Sequence, residues 1–576
     1  MNRKKELADI HSFSGNLLFK IKCWGLIGIR LFQNFRFPPT RFHDEGRLNL
    51  APVIAVSKSD LWNPFDNEKN WILTAGKVEN LRIAAKKIHG IEVKANQVFS
   101  FWKQIGNPSI GKGFVIGREI REGCIIPTIA GGLCQLSNAL YDAALKANCD
   151  IIERHRHTKV IQGSLAEKDR DATVKWNYLD LRFKAMHDFR IEAELNSNHL
   201  VIRFRSFNEI EKENSLSQLI KPSSKLNDCY SCGNSSCHLH PEPERAKRPK
   251  ETTTYILDES WPEYDSYLTT IKSKSDVFIV PFKKNKFLQI SRYQWISSNG
   301  SQAKTTHLPA LFRMLAFRLF HKKNPFELGI KFDKKIAEAG AKMIPMDTTH
   351  LVISQNLLPF VYNTGVLGGR TFDVFMTRLP LEKLQEKLDY AYLKHPESKT
   401  LNDFRANTDL INIENQALTE ARQIITSHQE IASIFNHKVN LLPWQIPVSK
   451  TKARNGSKIL FPASGLGRKG AYIIKRLALD LKFKLIVLGK ANEHPGFWNG
   501  VETETFGGNW EEVGLVLYPT YIENQPRLLL KTLGLGIPVI TTKASGLQEK
   551  EGLIITDTEN YEDFKNLVIT ILNKKN

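Results

Sequence analysis

The chain has 576 residues, of which 41% are hydrophobic and 24% charged, with a formal net charge of +21. That length is too great for one hydrophobic core and implies roughly three or four domains, and the composition excludes wholesale disorder. The positive excess calls for anionic company. With no nucleic-acid-binding motif beside it, phosphate substrates and a membrane surface are the expected partners, and nucleic acid is not.

Residues 1–74 read as an N-terminal arm, irregular to about residue 70, with turn signals at Phe37-Pro38-Pro39 and Asn63-Pro64. Within it, Asn16 to Phe35 is apolar but interrupted by Lys20, Lys22 and Arg30, which argues against a membrane-spanning helix. Two readings stay open. The segment either lies in a membrane interface, with Trp24 and Phe19 buried in lipid, or packs as a helix on the first domain. No small-residue cleavage site follows, so the expected location is cytoplasmic, with the chain peripheral on the inner face of the membrane in the first reading. Seven cysteines without an export signal fit a reducing compartment.

Residues 75–208 alternate between helix and strand signals, as an α+β domain does. Lys77–His89 has helical spacing with Leu81, Ala84, Ala85 and Ile88 on one side, and Gln135–Lys146 has Leu136, Leu140 and Ala143 on one face. Strands are predicted at Asp150–Thr158, Thr173–Trp176, Leu179–Phe183, Arg190–Glu194 and His199–Phe204. Residues 209–250 are a polar linker. The rhythm then becomes α/β across 251–447 and, most clearly, 448–576. There strands at Lys458–Pro462, Lys484–Gly489, Val513–Tyr518 and Pro538–Thr542 alternate with helices at Arg468–Lys482, Arg527–Gly534 and Tyr561–Asn573.

Three motifs carry chemistry. In Ala130-Gly131-Gly132-Leu133-Cys134-Gln135 two glycines permit a tight turn, and Cys134 falls at a helix N-terminus, where a thiolate is favoured. If Glu153-Arg154-His155-Arg156-His157 is a strand, Glu153, His155 and His157 share one face. Either histidine could serve Cys134 as base, with Asp171 available to orient it. A buried structural cysteine is the plainer reading. In the linker, Cys229, Cys232, Cys237 and His240 have the spacing of a tetrahedral zinc site that would staple a segment too short for its own core. His240 is preferred to His238, which adjoins Cys237; an iron–sulfur cluster or free thiols are the alternatives. Last, Gly467-Arg468-Lys469-Gly470 opens a helix after a strand, a natural seat for a diphosphate.

The run GGLCQLSNALYDAALKANCDIIERHRHT, with RDATVKW and DLRF after it, resembles the VanW family over about residues 75–205. Some domains of that family are thought to act as cysteine-dependent L,D-transpeptidases, which implies Cys134 as acyl acceptor with His155 or His157 as base. Ala185 stands near a place where the family has Asn. The C-terminal blocks, including Pro519-Thr520-Tyr521-Ile522-Glu523-Asn524-Gln525-Pro526 and Gly534-Leu535-Gly536-Ile537-Pro538-Val539, resemble GT-B glycosyltransferases of the family 4 type. This implies a multidomain chain: an α+β VanW-type domain followed by an α/β GT-B fold of two Rossmann-like lobes, 251–447 on the acceptor side and 448–576 on the donor side.

By that resemblance Gly467, Arg468, Lys469 and Gly470 hold the donor diphosphate, while Glu523 and Asn524 lie near the donor sugar. Lys531 stands where the family's second Glu binds the ribose, which reverses the local charge. The implied function is retaining transfer of a sugar from a nucleotide-diphosphate donor, without an obligatory catalytic metal. The acceptor would be an envelope polysaccharide, a lipid-linked sugar or a peptidoglycan precursor. Two alternatives stand beside it: a sugar- or nucleotide-binding scaffold that has lost turnover, and a cysteine acyltransferase with a carbohydrate-recognising half.

Overall fold

A computed structural model describes residues 13–63, 66, 68–121, 124–157, 164–208, 227–228, 252–283, 291–319, 325–448, 456–556 and 561–573. The chain forms two compact units, the first running to Thr252 with short additions at 345–349 and 365–370, the second comprising the remainder. The cluster of Cys229, Cys232, Cys237, His238 and His240 lies outside the described residues. Among the described residues no group of three or more His, Cys, Asp or Glu is placed to hold a metal.

The first unit opens with helix α1 (Phe13–Arg36), strand β1 (Val53–Asp60), helix α2 (Glu68–Ile88) and strands β2 (Ile91–Val93) and β3 (Val98–Ser100). Helix α3 (Phe101–Ile105) precedes a hairpin of β4 (Ile116–Arg121) and β5 (Cys124–Ile129), which feeds helix α4 (Cys134–Lys146). Strands β6 (Asp150–Glu153), β7 (Arg182–Lys184), β8 (Phe189–Leu195), β9 (His199–Arg205) and β10 (Asn227–Asp228) complete it. The strands form three sheets, ordered β1-β9-β8-β2, β3-β7-β6 and β10-β5-β4.

The expected irregular arm is corrected here. Within residues 1–74, α1 is a 24-residue helix, and β1 pairs antiparallel with β9 from Val53 to Asp60. Ala55 and Ser57 face the core and alternate with exposed neighbours, the half-buried strand pattern; the short run Ser57-Lys58-Ser59-Asp60 conceals it because its buried member is polar. The predicted strand Asp150–Thr158 stops at Glu153, and Thr173–Trp176 forms only an isolated bridge, Lys175 with Leu179. Leu81, Ala84, Ala85 and Ile88 of α2 are all buried, against a core where Phe99 stacks on Phe183 (4.7 Å) and Phe189 on Phe204 (4.6 Å).

In the second unit, strands and helices alternate from β11 (Thr253–Ile256) through α5 (Pro262–Ile271), β12 (Val277–Val280) and β13 (Gln302–Thr305). Helices α6 (His307–Leu319) and α7 (Pro325–Ala341) lead to β14 (His350–Ser354), α8 (Leu358–Asn363) and β15 (Thr371–Phe375). After α9 (Leu381–Lys394) and α10 (Thr408–Glu420) come β16 (Gln423–Thr426), α11 (Gln429–Ile434) and β17 (Val439–Leu441). A second series follows: β18 (Lys458–Phe461), α12 (Ala471–Leu481), β19 (Leu485–Val487), β20 (Thr503–Thr505) and β21 (Val513–Tyr518). It ends with α13 (Arg527–Gly534), β22 (Val539–Thr542), β23 (Leu553–Thr556) and α14 (Tyr561–Asn573).

These strands make two sheets, ordered β13-β12-β11-β14-β15-β16-β17 and β20-β19-β18-β21-β22-β23. Every pairing in them is parallel. Each sheet starts from a central first strand, winds outward to its second and third, then reverses to its fourth, fifth and sixth, and in the first sheet on to its seventh. That is the Rossmann order, in which ligands sit at the carboxyl ends of the strands where the winding reverses. Strands such as Val277–Val280 and Val513–Tyr518 are buried throughout, as sheets covered on both faces require. In the second lobe the reversal falls between β18 and β21, so the loops leaving those strands, 462–470 and 519–526, flank the crevice.

Candidate active site

In the first unit, the β5–α4 turn places Cys134. Ala130 (φ 60°) and Gly132 (φ 98°) adopt the left-handed conformation that reverses the chain. Any side chain at Gly132 would meet Cγ of Lys77 at 2.1 Å, so glycine is needed for the approach of α2 as well as for the turn. Lys77 is buried and donates to Leu61 O (2.6 Å) and Gln135 Oε1 (2.9 Å). Its ammonium is held well below the usual lysine range by burial first and by Arg118 second. Gln135 donates onward to Ser59 Oγ (3.0 Å) and Asp60 O (2.7 Å), tying the start of α4 to β1.

One polar stripe of α4 then holds the segment that carries Asp171. Ser137 Oγ donates to Ala172 O (2.5 Å), Asn138 Oδ1 accepts from Ala172 N (2.7 Å), and Asp142 accepts from Arg170 (3.1 Å). Positions 134, 138 and 142 are one helical turn apart, which explains why a buried helix keeps polar groups there: each has a partner. Asp171, 3% exposed in its side chain, accepts from the His157 backbone N–H (2.5 Å) and bonds His157 Nδ1 (2.7 Å).

Cys134 stands near enough to His157 to act on the imidazole's charge, so thiol, imidazole and carboxylate are brought together, with Asp171 as the partner bonded at 2.7 Å. Burial alone would lower the imidazole's pKa; the bond to Asp171, the influence of Cys134 and the charges of both outweigh it and raise the value to about 10. Cys134 Sγ lies 3.7 Å from Val174 O as well. Its position as the first residue of α4 puts it at the positive end of the helix dipole.

His155 is not part of this line. Its Nε2 lies 3.0 Å from Glu153 Oε1, and Glu153 also takes Arg30 (2.8 Å) and Asp180 N (3.1 Å). The expected common face of Glu153, His155 and His157 does not form, because β6 shifts register between Ile151 and Glu153 and ends there. Beyond it, Thr173 N–H binds His155 O (2.8 Å), and the two histidines turn to different carboxylates.

The basic loop of the second unit is arranged differently. Gly467–Lys469 form a single tight turn, Gly470 (φ 82°) interrupts it, and α12 begins only at Ala471. The predicted helix from Arg468 is therefore corrected: both cations precede the helix. A Cβ at Gly470 would sit 1.9 Å from Pro519 O, which is why the loop breaks there. Lys469 pairs with Glu523 (2.8 Å), and Glu523 also accepts from Gln525 N (2.8 Å) and Tyr518 OH. Glu523 is half-buried, and desolvation raises a carboxyl's pKa, yet Lys469 and these donors hold it below its ordinary value.

Arg468 faces the first lobe of the unit, 5.1 Å over the Phe404 ring and 4.0 Å from Asp403. Asn524 is exposed, and Lys531 is exposed with its ammonium 4.8 Å over Trp510. Glu493, which no sequence signal marks, is the carboxylate that meets this loop: it accepts from Gly467 N (2.5 Å), Lys399 N (3.0 Å) and Thr400 N (3.3 Å). A Cβ on Gly467 would meet Ser398 Oγ at 2.5 Å, so the 398–403 segment lies directly on the loop. Buried His428 reaches Glu523 O (2.9 Å) from the first lobe.

Residues 76–205 match the family model described as VanW like protein. This region is a VanW domain. A protein of Bacillus subtilis, YoaR, is 32% identical over 109 residues, which are 19% of this chain and 35% of that protein. The vancomycin B-type resistance protein VanW of Enterococcus faecalis is 30% identical over 118 residues, 20% of this chain and 42% of that protein. The chain thus spans less than half the length of either relative.

The rest of the chain overlaps solved glycosyltransferases of the GT-B fold. Sucrose-phosphate synthase from Thermosynechococcus elongatus overlaps 56% of the chain and 90% of its own length, at 11% identity and TM-score 0.37. Anabaena HepE, solved with UDP and glucose, overlaps 56% and 91%, at 11% identity and TM-score 0.34. The paired strand orders, not these partial overlaps, define the two Rossmann-like lobes that follow the VanW domain. The Cys134–His157–Asp171 line falls wholly inside the VanW domain, and the basic loop wholly outside it.

Proposed function

We propose that the VanW domain is a cysteine acyltransferase acting on an amide carbonyl of a peptide-like substrate, with Cys134 as nucleophile. The observation that carries this is the His157–Asp171 bond (2.7 Å) beside Cys134, the first residue of α4. The thiolate attacks the carbonyl carbon, and the protonated His157 donates its proton to the departing amine nitrogen as the C–N bond breaks, leaving a thioester on Cys134. His157 then takes a proton from the incoming amine as that amine attacks the thioester, which releases a new amide and the thiolate. Asp171 fixes the imidazole's orientation and stabilises its charge. By its resemblance to other VanW domains, the substrate class is the peptidoglycan stem peptide.

The test is mass spectrometry of the full chain incubated with a stem tetrapeptide. A mass gain at Cys134, absent from Cys134→Ala, is expected. No adduct in the wild type, together with iodoacetamide labelling of Cys134 no faster than of buried Cys149, defeats the proposal.

A second reading, glycosyl transfer by the twin lobes, is favoured by the Lys469–Glu523 pair at the winding reversal of the second sheet. In it the basic loop receives a donor diphosphate once Glu493 withdraws, and retaining chemistry leans on stabilising that diphosphate as it departs. Warming of the melting transition by UDP or a UDP-sugar supports this reading; no shift in wild type, Glu493→Gln or Lys531→Glu counts against it.

A further inference from the structure

Helix α1 touches the first unit along one narrow stripe. Cys23 is buried and Ile27, Arg30 and Asn34 are half-buried, a spacing of three and four that keeps them on one line. The stripe is pinned by charge and hydrogen bonding: Arg30 forks onto Glu153 at 2.8 and 2.5 Å, and Asn34 Oδ1 accepts from Arg182 (2.8 Å). The helix is apolar on most of its circumference, so this attachment leaves a wide surface uncovered. Leu17, Ile21, Trp24, Leu31, Phe32 and Phe35 recur at helical spacing on one exposed face, with Trp24 72% and Phe35 87% exposed. The Arg30–Glu153 fork lies on the packed stripe, away from that face.

The charge of the helix indicates what covers this face. Its sequence holds Lys20, Lys22, Arg30 and Arg36 and no aspartate or glutamate, and the whole chain is +21. Water-facing helices of ordinary domains mix both signs, and contiguous apolar patches of this kind mark an interaction surface. Aromatic side chains beside lysine and arginine, without acids, match the boundary of an anionic bilayer, where rings sit at the acyl edge and cations meet headgroup phosphates. No helix among the described residues is long and apolar enough to cross a membrane, so α1 would lie along the surface.

We propose that α1 is an interfacial anchor that lies on an anionic lipid surface through Leu17, Ile21, Trp24, Leu31, Phe32 and Phe35, with Lys22 and Arg36 toward the headgroups. Because Glu153 also binds His155, the Arg30 fork joins the anchor to the segment that runs on to His157. The anchor and the proposed acyl chemistry are independent, and each is tested alone.

The experiment is flotation of the full chain with vesicles of phosphatidylcholine, with and without phosphatidylglycerol. Trp24→Ser/Phe32→Ser/Phe35→Ser is compared with wild type after circular dichroism shows equal helix content and melting. The wild type should float with the phosphatidylglycerol vesicles, and the triple variant should lose about tenfold or more of that partitioning. Lys22→Glu/Arg36→Glu should reduce binding to the anionic vesicles only, most at low salt. Failure of the wild type to float overturns the proposal, as does equal flotation of the triple variant. So does a concentration-dependent dimer that the triple variant abolishes while vesicles go unbound, because the face then belongs to a second copy.

Discussion

The two units each bring cations and carboxylates to the head of a helix, and they use them in opposite ways. In the VanW domain the acid Asp171 bonds His157 on one side and Cys134 stands on the other, so the charge is directed at the proposed nucleophile. In the second unit the cations and amides are already answered by the protein: Lys469 by Glu523, the Gly467 amide by Glu493, and Arg468 by Phe404 and Asp403. Similar side-chain chemistry therefore gives a preorganised centre in one place and a self-neutralised seat in the other. What separates them is whether the groups end on a thiol or on the protein's own acids and rings.

That contrast can be broken most severely at Cys134. Cys134→Ala should abolish both the thioester adduct and the rapid alkylation at that position, read by peptide mapping against Cys23 and Cys149, which are buried and should label slowly in both proteins. Next in size, His157→Ala should slow acyl transfer by about 100-fold, the usual worth of a positioned acid–base group, measured as initial rate at fixed enzyme. Gly132→Ala should destabilise the first unit by about 1–3 kcal/mol, because the new methyl overpacks against Lys77; denaturant melts report it, and an unchanged midpoint would refute the packing account. On the other side of the comparison, Glu493→Gln should tighten binding of inorganic pyrophosphate about fivefold, the scale of one charge-assisted hydrogen bond lost from the competitor. Calorimetry reads that change, and weaker binding in the variant would mean that Glu493 braces the seat rather than filling it. Smallest of all, Lys531→Glu should alter stability by less than about 0.5 kcal/mol, as an exposed side chain over Trp510 implies.

Much of the cysteine centre could be read in the sequence because its parts follow from local rules. Two glycines followed by an apolar helix locate Cys134 at a helix start, and the run containing Asp171 lies close by. The choice between His155 and His157 could not be read, since alternation holds only while a strand persists and β6 ends at Glu153. Lys77 and Gln135 were also hidden: a lysine in an amphipathic helix pattern reads as solvent-facing, and only the close approach of Gly132 buries it. In the second lobe of the second unit the rhythm gave β18, β19, β21 and β22 and missed the short edge strands β20 and β23, while across 251–447 it gave the α/β class without individual strands. Glu493 escaped because it sits in a loop without periodicity, and its partner Thr400 is 93 residues away. The apolar run Asn16–Phe35 left two readings open; α1 packs one face on the first unit, and its other face is bare.

The pH dependence follows from His157. Its value in the folded chain, about 10, exceeds the ordinary 6.5, so its protonated form contributes stability that is full below about 6.5 and is lost as the pH climbs through about 10. A direct titration of the His157 ring by NMR in the full chain, compared with Asp171→Asn, therefore tests the central claim. A ring that stays protonated through neutrality and titrates near 10, with a clear fall in the variant, is the predicted result. A ring that titrates near 6.5 in both proteins would contradict a charged line from Asp171 through His157 to Cys134.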